Sequence, residues 1–156
     1  MKNITLERFK LIGLRLEHKT TNENGQSNVD CGNLWQKFES EKIFEQIPNK
    51  KNNSVYAVYF DYDEDETKPF SYFIGCQVDE NMNTPEGLSE IIIPSQSYQK
   101  VIAKGEVPYC ISNAWSEIWS SEMNRIFGYD FEIYDKRSHD WKNAEVDLFI
   151  SIDPSK

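Results

Sequence analysis

The sequence lacks a long apolar segment. No run approaches the roughly 18 to 20 consecutive apolar residues that a membrane-spanning helix needs. The charged residues at 1–9 are not followed by the apolar core of a signal peptide. We therefore expect neither a membrane segment nor a secretory leader.

Cysteine and histidine are also scarce. The three cysteines, Cys31, Cys76 and Cys110, are odd in number and form no C-x-x-C pair. This argues against a disulfide or metal framework and favours a reducing cytoplasm. His18 and His139 have no evident serine or aspartate partner, so a catalytic triad is not supported. No glycine-rich phosphate loop is present, and we expect no metal and no cofactor.

Basic residues are fewer than expected for a protein that binds nucleic acid. Lysine and arginine number 17 against 26 acidic residues, and the formal net charge is −9. Proteins that bind the phosphate backbone usually carry a basic surface, so we expect no direct nucleic-acid binding. Neutral or cationic small molecules remain as ligands, and a protein partner remains a second option. The length predicts a single domain over residues 1–156.

Aromatic residues, by contrast, are plentiful, at 13% of the chain. One predicted strand, at 129–135, places Phe131 and Ile133 on one face and Glu132 with Tyr134 on the other. A carboxylate among aromatic rings is costly unless a hydrogen-bond network, a raised pKa, or a cationic or reactive ligand compensates it. The alternative is that Glu132 lies at an edge in contact with water.

The remaining elements are predicted from periodicity and turn residues. The predicted strands cover residues 4–16, 54–62, 70–78, 97–103, 129–135 and 146–152, with a short apolar piece at 88–93; the predicted helices cover about 34–47 and 109–123. Residues 20–30 are polar and predict a loop. Gly75 lies inside a strand and indicates a bulge or a close backbone approach.

An acidic run at 61–67 admits two interpretations. Five acids lie within it, as in a calcium-binding loop, but the glycine and terminal glutamate of an EF-hand and its flanking helices are missing. A solvated hairpin tip is the favoured interpretation.

The order of elements is strand, helix, strand, strand, repeated twice. The fold class is therefore α+β: two pseudo-symmetric repeats, at about 4–80 and 90–152, form a mostly antiparallel sheet with two main helices and a central cleft. Tyr59 and Glu132 would lie near the pseudo-two-fold axis, with Trp35 and Trp115 as walls of the cleft. Such a cleft is a candidate ligand site.

Several motifs follow one another along the chain: Tyr72–Glu80, Pro85–Leu88 with Ile93-Pro94, Tyr98–Gly105, Phe131–Tyr134 and Glu145–Ile150. In this order they resemble the GyrI-like small-molecule-binding family, which includes the effector-binding domains of AraC- and MerR-type bacterial regulators. The resemblance implies an aromatic pocket whose acidic floor meets lipophilic cations. By position that acid is Glu132; Tyr134 lies on the same strand, and Tyr59, Tyr72 and Trp115 would be its aromatic neighbours.

The resemblance leaves three functions open. The first is a small-molecule or multidrug-binding protein linked to transcription regulation or drug sensing. The second is a hydrolase of electrophilic xenobiotics that uses Glu132 as general acid or base. The third is an interaction module that acts on a protein such as gyrase. Regulators of this class carry a helix-turn-helix that is not found here, so we expect a stand-alone member of the family.

Overall fold

A computed structural model describes residues 2–155; Met1 and Lys156, which the predicted domain includes, lie outside the described residues. The described part forms one eight-stranded antiparallel sheet with its α-helices. The strands are β1 Lys2–Leu6, β2 Phe9–Arg15, β3 Val55–Phe60, β4 Ser71–Val78, β5 Ser89–Ile93, β6 Gln96–Gly105, β7 Asp130–Tyr134 and β8 Ala144–Ser151. The helices are α1 Gln26–Ser40, α2 Ile43–Gln46 and α3 Tyr109–Ser120. No helix of residues 2–155 is long and apolar enough to cross a membrane.

The strand order shows the two-fold repeat. The sheet runs β1-β6-β8-β7-β3-β4-β2-β5, so β6-β8-β7 mirrors β2-β4-β3 about the central β7–β3 pair. One repeat is β2-α1-β3-β4 and the other is β6-α3-β7-β8. This confirms the predicted α+β class with two strand–helix–strand–strand repeats.

The two outer strands are exchanged between the repeats. β1 precedes β2 in the chain but pairs with β6, and β5 precedes β6 but pairs with β2. Only residues 7–8 join β1 to β2, and only residues 94–95 join β5 to β6. Because such short links must connect opposite margins of one sheet, the sheet curls strongly.

The inner core fills the concave face of this curl. It is defined by buried side chains from both repeats: Phe9, Leu11, Tyr56, Val58, Phe60, Phe73, Ile91, Ile93, Tyr98, Phe131 and Phe149. Phe131 contacts Phe9, Tyr98 and Phe149 at ring-centroid distances of 5.7, 5.2 and 5.0 Å. The helices pack on the other face, where α1 buries Leu34 and Phe38 against it.

The prediction of one strand over residues 4–16 is wrong. The chain breaks at Glu7 and Arg8, and its two parts join different repeats. Leu6 and Phe9 would point to opposite faces of a continuous strand. The break lets both pack against the inner core.

The first helix begins earlier than predicted. α1 starts at Gln26, inside the predicted loop 20–30, and ends at Ser40; residues 43–46 form the separate helix α2. The first turns of α1 are largely polar and exposed, so they carry no apolar periodicity. Asp30 holds this segment by accepting hydrogen bonds from Thr20 (2.7 Å) and from Gln26 one turn earlier (2.9 Å).

Gly75 marks a close backbone approach, as expected. It lies opposite Gly13 in the β2–β4 pair. A Cβ on Gly13 would lie 1.9 Å from the carbonyl oxygen of Ile74, and one on Gly75 would lie 2.4 Å from that of Ile12. Both positions therefore exclude any side chain.

Candidate ligand-binding site

A cavity of about 1280 Å³ lies between α1 and α3 on the helix-bearing face of the sheet. Its floor comes from the central strands β3, β4 and β7. The six predicted ligand-binding residues all line it: Trp35, Tyr59, Tyr72, Trp115, Glu132 and Tyr134. The fold thus brings together residues that are up to 99 positions apart in the sequence (134 − 35).

Glu132 occupies the centre of the floor. On β7 it lies between Ala57 of β3 and Leu148 of β8, which are its register partners. Phe131 and Glu132 lie on opposite faces of β7, as predicted; Phe131 enters the inner core and Glu132 points toward the helices. Glu132 is only 1% exposed, so the interpretation as a water-exposed edge residue is wrong.

Three hydrogen bonds hold the carboxylate. Trp115 donates from Nε1 to Oε2 over 2.6 Å, Tyr59 donates its hydroxyl to the same oxygen over 2.9 Å, and Tyr134 donates its hydroxyl to Oε1 over 2.5 Å. All three donors are uncharged. They orient the carboxylate and satisfy most of its acceptor positions, but they do not neutralise it.

The pKa values follow from burial. Desolvation raises the pKa of Glu132 above its usual value, while the hydrogen bonds from Tyr134, Trp115 and Tyr59 act in the opposite direction. Burial, followed by the nearby charge of Glu132, raises the pKa of Tyr59 and Tyr134 well above the ordinary tyrosine value. Both hydroxyls therefore stay protonated and remain donors.

Glu132 differs from the other buried acids of the described chain. Asp130 is fully buried and pairs with Arg125 at 3.0 Å. Asp147 is also buried and pairs with Arg137 at 2.9 Å and with Lys100 at 3.4 Å. No salt bridge to Glu132 is present within residues 2–155. A buried carboxylate without a cationic partner is energetically costly.

Aromatic rings surround this acid. The ring of Tyr59 lies 5.0 Å from that of Trp115 and 4.9 Å from that of Tyr72, and Trp35 lies 5.1 Å from Tyr134, measured between centroids. Trp35 also donates from Nε1 to the hydroxyl of Tyr72 over 2.8 Å, which fixes α1 against β4. The negative faces of such rings attract cations.

The mouth of the cavity carries the two remaining tryptophans. Trp119 of α3 and Trp141 of the loop before β8 both line the cavity, and they are 45% and 61% exposed. Trp119 is therefore a rim residue. All four tryptophans of the chain line the cavity.

Sequence reasoning missed one end of the cavity. Tyr62, Glu66 and Arg125 line it there. Asp130 lies beneath them and shares the helix-facing side of β7 with Glu132, so strand parity alone could have identified it. Glu66 comes from the acidic run predicted as a hairpin tip; its side chain folds back to the cavity and is 23% exposed. The described residues contain no acid, histidine or cysteine cluster that could hold a metal.

The curled repeat sheet and the aromatic cavity over a buried acid define an effector-binding domain of the GyrI-like class, which confirms the resemblance. Residues 4–152 match the family described as Cass2, integron-associated effector binding protein, and the chain belongs to that family.

Two solved structures show the same fold. The structure of SAV2435 bound to tetraphenylphosphonium is 15% identical with a TM-score of 0.79, over 99% of this chain and 94% of that chain. The integron cassette protein VCH_CASS2 from the mobile metagenome of Vibrio cholerae is 24% identical with a TM-score of 0.73, over 97% of this chain and 95% of that chain.

One curated relative also matches. It is named "Putative transcriptional regulator protein YobU", from Bacillus subtilis (strain 168), and is 24% identical over 106 residues. The match covers 66% of this chain and 66% of YobU, slightly less than two thirds of the relative.

Proposed function

We propose that this chain binds lipophilic cations as effectors and that this binding takes part in transcription regulation or drug sensing. One observation carries the proposal. Glu132 is buried at the floor of an aromatic cavity and has no cationic partner among residues 2–155, whereas the buried Asp130 and Asp147 are both paired. A bound cation would supply the missing charge.

The energetics favour a cation whose charge is spread over an apolar body. A unit charge about 4 Å from the carboxylate gains about 4 kcal/mol at an effective dielectric constant of about 20. Folding has already removed Glu132 from water, so binding does not repeat that cost. A diffuse cation loses less hydration energy than a compact ammonium, and its apolar groups gain from contact with the rings.

The other charges at the cavity support the same sign of ligand. Besides Glu132, three acids line it, Glu39, Glu66 and Asp135, against one arginine, Arg125. Negative lining attracts cations and disfavours anions.

The test uses tetraphenylphosphonium as the probe, because a solved relative of the same fold is bound to it. Binding is followed by the intrinsic fluorescence of the four cavity tryptophans and by calorimetry. Glu132→Gln should weaken binding about tenfold or more, since it removes the charge and keeps the shape.

The matched control is Asp147→Asn, which removes a buried carboxylate outside the cavity. It should leave the affinity for tetraphenylphosphonium within about twofold of the wild type. Equal affinities in the wild type and Glu132→Gln would refute the proposed role of Glu132.

Hydrolysis of an electrophilic ligand is the second candidate function. It is favoured by the raised pKa of the Glu132 carboxyl, which suits a general acid or base. Mass spectrometry of an ester-bearing ligand after incubation separates the two. Product formation that Glu132→Gln abolishes supports the hydrolase, and intact ligand supports capture.

The cellular setting is part of the proposal. The three cysteines are free thiols, which fits a reducing cytoplasm. A negatively charged effector domain would regulate transcription through a DNA-binding partner rather than by contacting DNA itself. Capture of gyrase or another defined protein by the purified chain would support an interaction role instead.

A further inference from the structure

The cavity lining includes one buried arginine, Arg125, which lies beside Glu66. Its side chain lines the cavity and is 6% exposed. Nη2 donates to Oδ2 of Asp130 over 3.0 Å, but the buried Nε and Nη1 have no hydrogen-bond partner in the described part of the chain. Among residues 2–155, the Tyr98 hydroxyl is the one other buried side-chain nitrogen or oxygen without a hydrogen-bond partner. Buried polar groups are normally paired, and unpaired ones call for an explanation.

The guanidinium group is held in a fixed orientation. Asp130, its partner, also accepts the Tyr62 hydroxyl over 2.7 Å and both the backbone N–H and the hydroxyl of Ser151 over 2.7 Å each. The ring of Phe127 covers the guanidinium at 4.3 Å. Because Asp130 already has four donors, it cannot turn to serve the remaining N–H groups of Arg125.

The charges around Arg125 select the type of acceptor. Asp130 already balances its positive charge, and Glu66 lies 3.7 Å from Nη1, too far for a hydrogen bond but close enough to repel an anion. A ligand carboxylate would face two acids there. A neutral carbonyl oxygen accepts from the same N–H groups without that repulsion.

The Trp115 indole separates this group from Glu132. Trp115 donates from Nε1 to Glu132, and its ring lies 5.9 Å from Cζ of Arg125. We propose that Arg125 is a donor subsite for a neutral carbonyl group carried by the cationic ligand, about one aromatic ring away from the charge. The ligand class is then a lipophilic cation with an amide or ester substituent. This inference rests on the proposed capture of cations and deepens it.

The test compares three matched phosphonium probes. They share a triphenylphosphonium cation and carry a pentyl, a 4-carbamoylbutyl or a 4-carboxybutyl chain. Wild-type protein should bind the carbamoyl probe about fivefold more tightly than the pentyl probe, and the carboxy probe most weakly of the three. Affinities are measured by tryptophan fluorescence and calorimetry.

Two variants test whether Arg125 and Glu66 cause these differences in affinity among the probes. Arg125→Lys keeps the charge beside Asp130 but loses the planar N–H fork, so the ratio of pentyl to carbamoyl dissociation constants should fall to within about twofold of one. Glu66→Gln removes the facing carboxylate and should reduce the penalty on the carboxy probe by about fivefold or more. A thermal melt of each variant verifies that it is folded. If Arg125→Lys does not fold, the test of the subsite rests on Glu66→Gln.

The outcomes are distinguishable. A wild-type preference that persists in Arg125→Lys, or no wild-type preference between the pentyl and carbamoyl probes, overturns the subsite and leaves cation capture standing. A penalty on the carboxy probe that Glu66→Gln leaves unchanged also overturns it. Failure of all three probes to bind wild-type protein overturns cation capture, and the subsite with it.

Discussion

Glu132→Gln should make the protein more stable at neutral pH while weakening its proposed ligand binding. Glu132 is 1% exposed, and its carboxylate has no ionic partner within residues 2–155. A glutamine can accept from Trp115 and Tyr59 through its carbonyl oxygen, and its amide can donate to the hydroxyl of Tyr134. The substitution therefore keeps three hydrogen bonds and removes a desolvated charge.

The expected gain is on the order of 1 kcal/mol, the scale on which proteins respond to a buried polar group that is incompletely compensated. For a chain of 156 residues this corresponds to a rise in Tm of about 2 to 4 °C. The assay is thermal and urea unfolding followed by circular dichroism. Asp147→Asn is the matched contrast, because it leaves Lys100 and Arg137 short of a partner and should lower stability.

The pH dependence of stability provides an independent check of the sign of the stability change in Glu132→Gln. Burial raises the pKa of Glu132 in the folded state, so the folded protein holds this proton to a higher pH than the unfolded chain does. The penalty from its charge is absent below the unfolded pKa and grows as pH rises toward the folded pKa. The advantage of Glu132→Gln over the wild type should therefore appear over that window and stay constant above it. A Tm at pH 7 equal to or below that of the wild type would refute the reasoning.

Two further predictions concern the site and the sheet. Tyr134→Phe removes a donor that lowers the pKa of Glu132, so the pH midpoint of tetraphenylphosphonium binding should move upward; an unchanged midpoint in a fluorescence titration would contradict this role. Gly13→Ala would place Cβ 1.9 Å from the Ile74 carbonyl oxygen and should cost about 3 kcal/mol or more, whereas alanine at the open, helical Gly32 should be neutral or slightly stabilising. Urea denaturation of the two alanine variants tests this contrast, and equal stabilities would show that β2 and β4 separate freely.

Much of the fold could be predicted because local periodicity reflects which face of an element is buried. Phe131 and Glu132 alternate on β7, and the structure places them on opposite faces of the sheet. The polar start of α1 could not be found in this way, since its residues bury no apolar face and are held instead by hydrogen bonds to Asp30. The break at residues 7–8 was missed because both flanking segments alternate well by themselves.

The candidate site was predictable in part. A repeat pattern and a family resemblance indicated Glu132 and its aromatic neighbours, and all of them line one cavity. Glu66 and Arg125 were missed, because a charged loop residue and an isolated arginine have no periodic signature. Only the tertiary structure shows that Glu66 folds back to lie beside Arg125.

The sequence by itself determined that Glu132 and Tyr134 share one face of a strand and Phe131 the other, because alternation along a strand is a local property. Only the tertiary structure decided which of two acids on that face would keep an uncompensated charge. Arg125 neutralises Asp130, while Glu132 receives uncharged donors from Tyr59 and Trp115, which other elements supply. Charge compensation depends on distances between side chains that chain folding alone brings together, and this difference makes Glu132 the proposed cation-binding group.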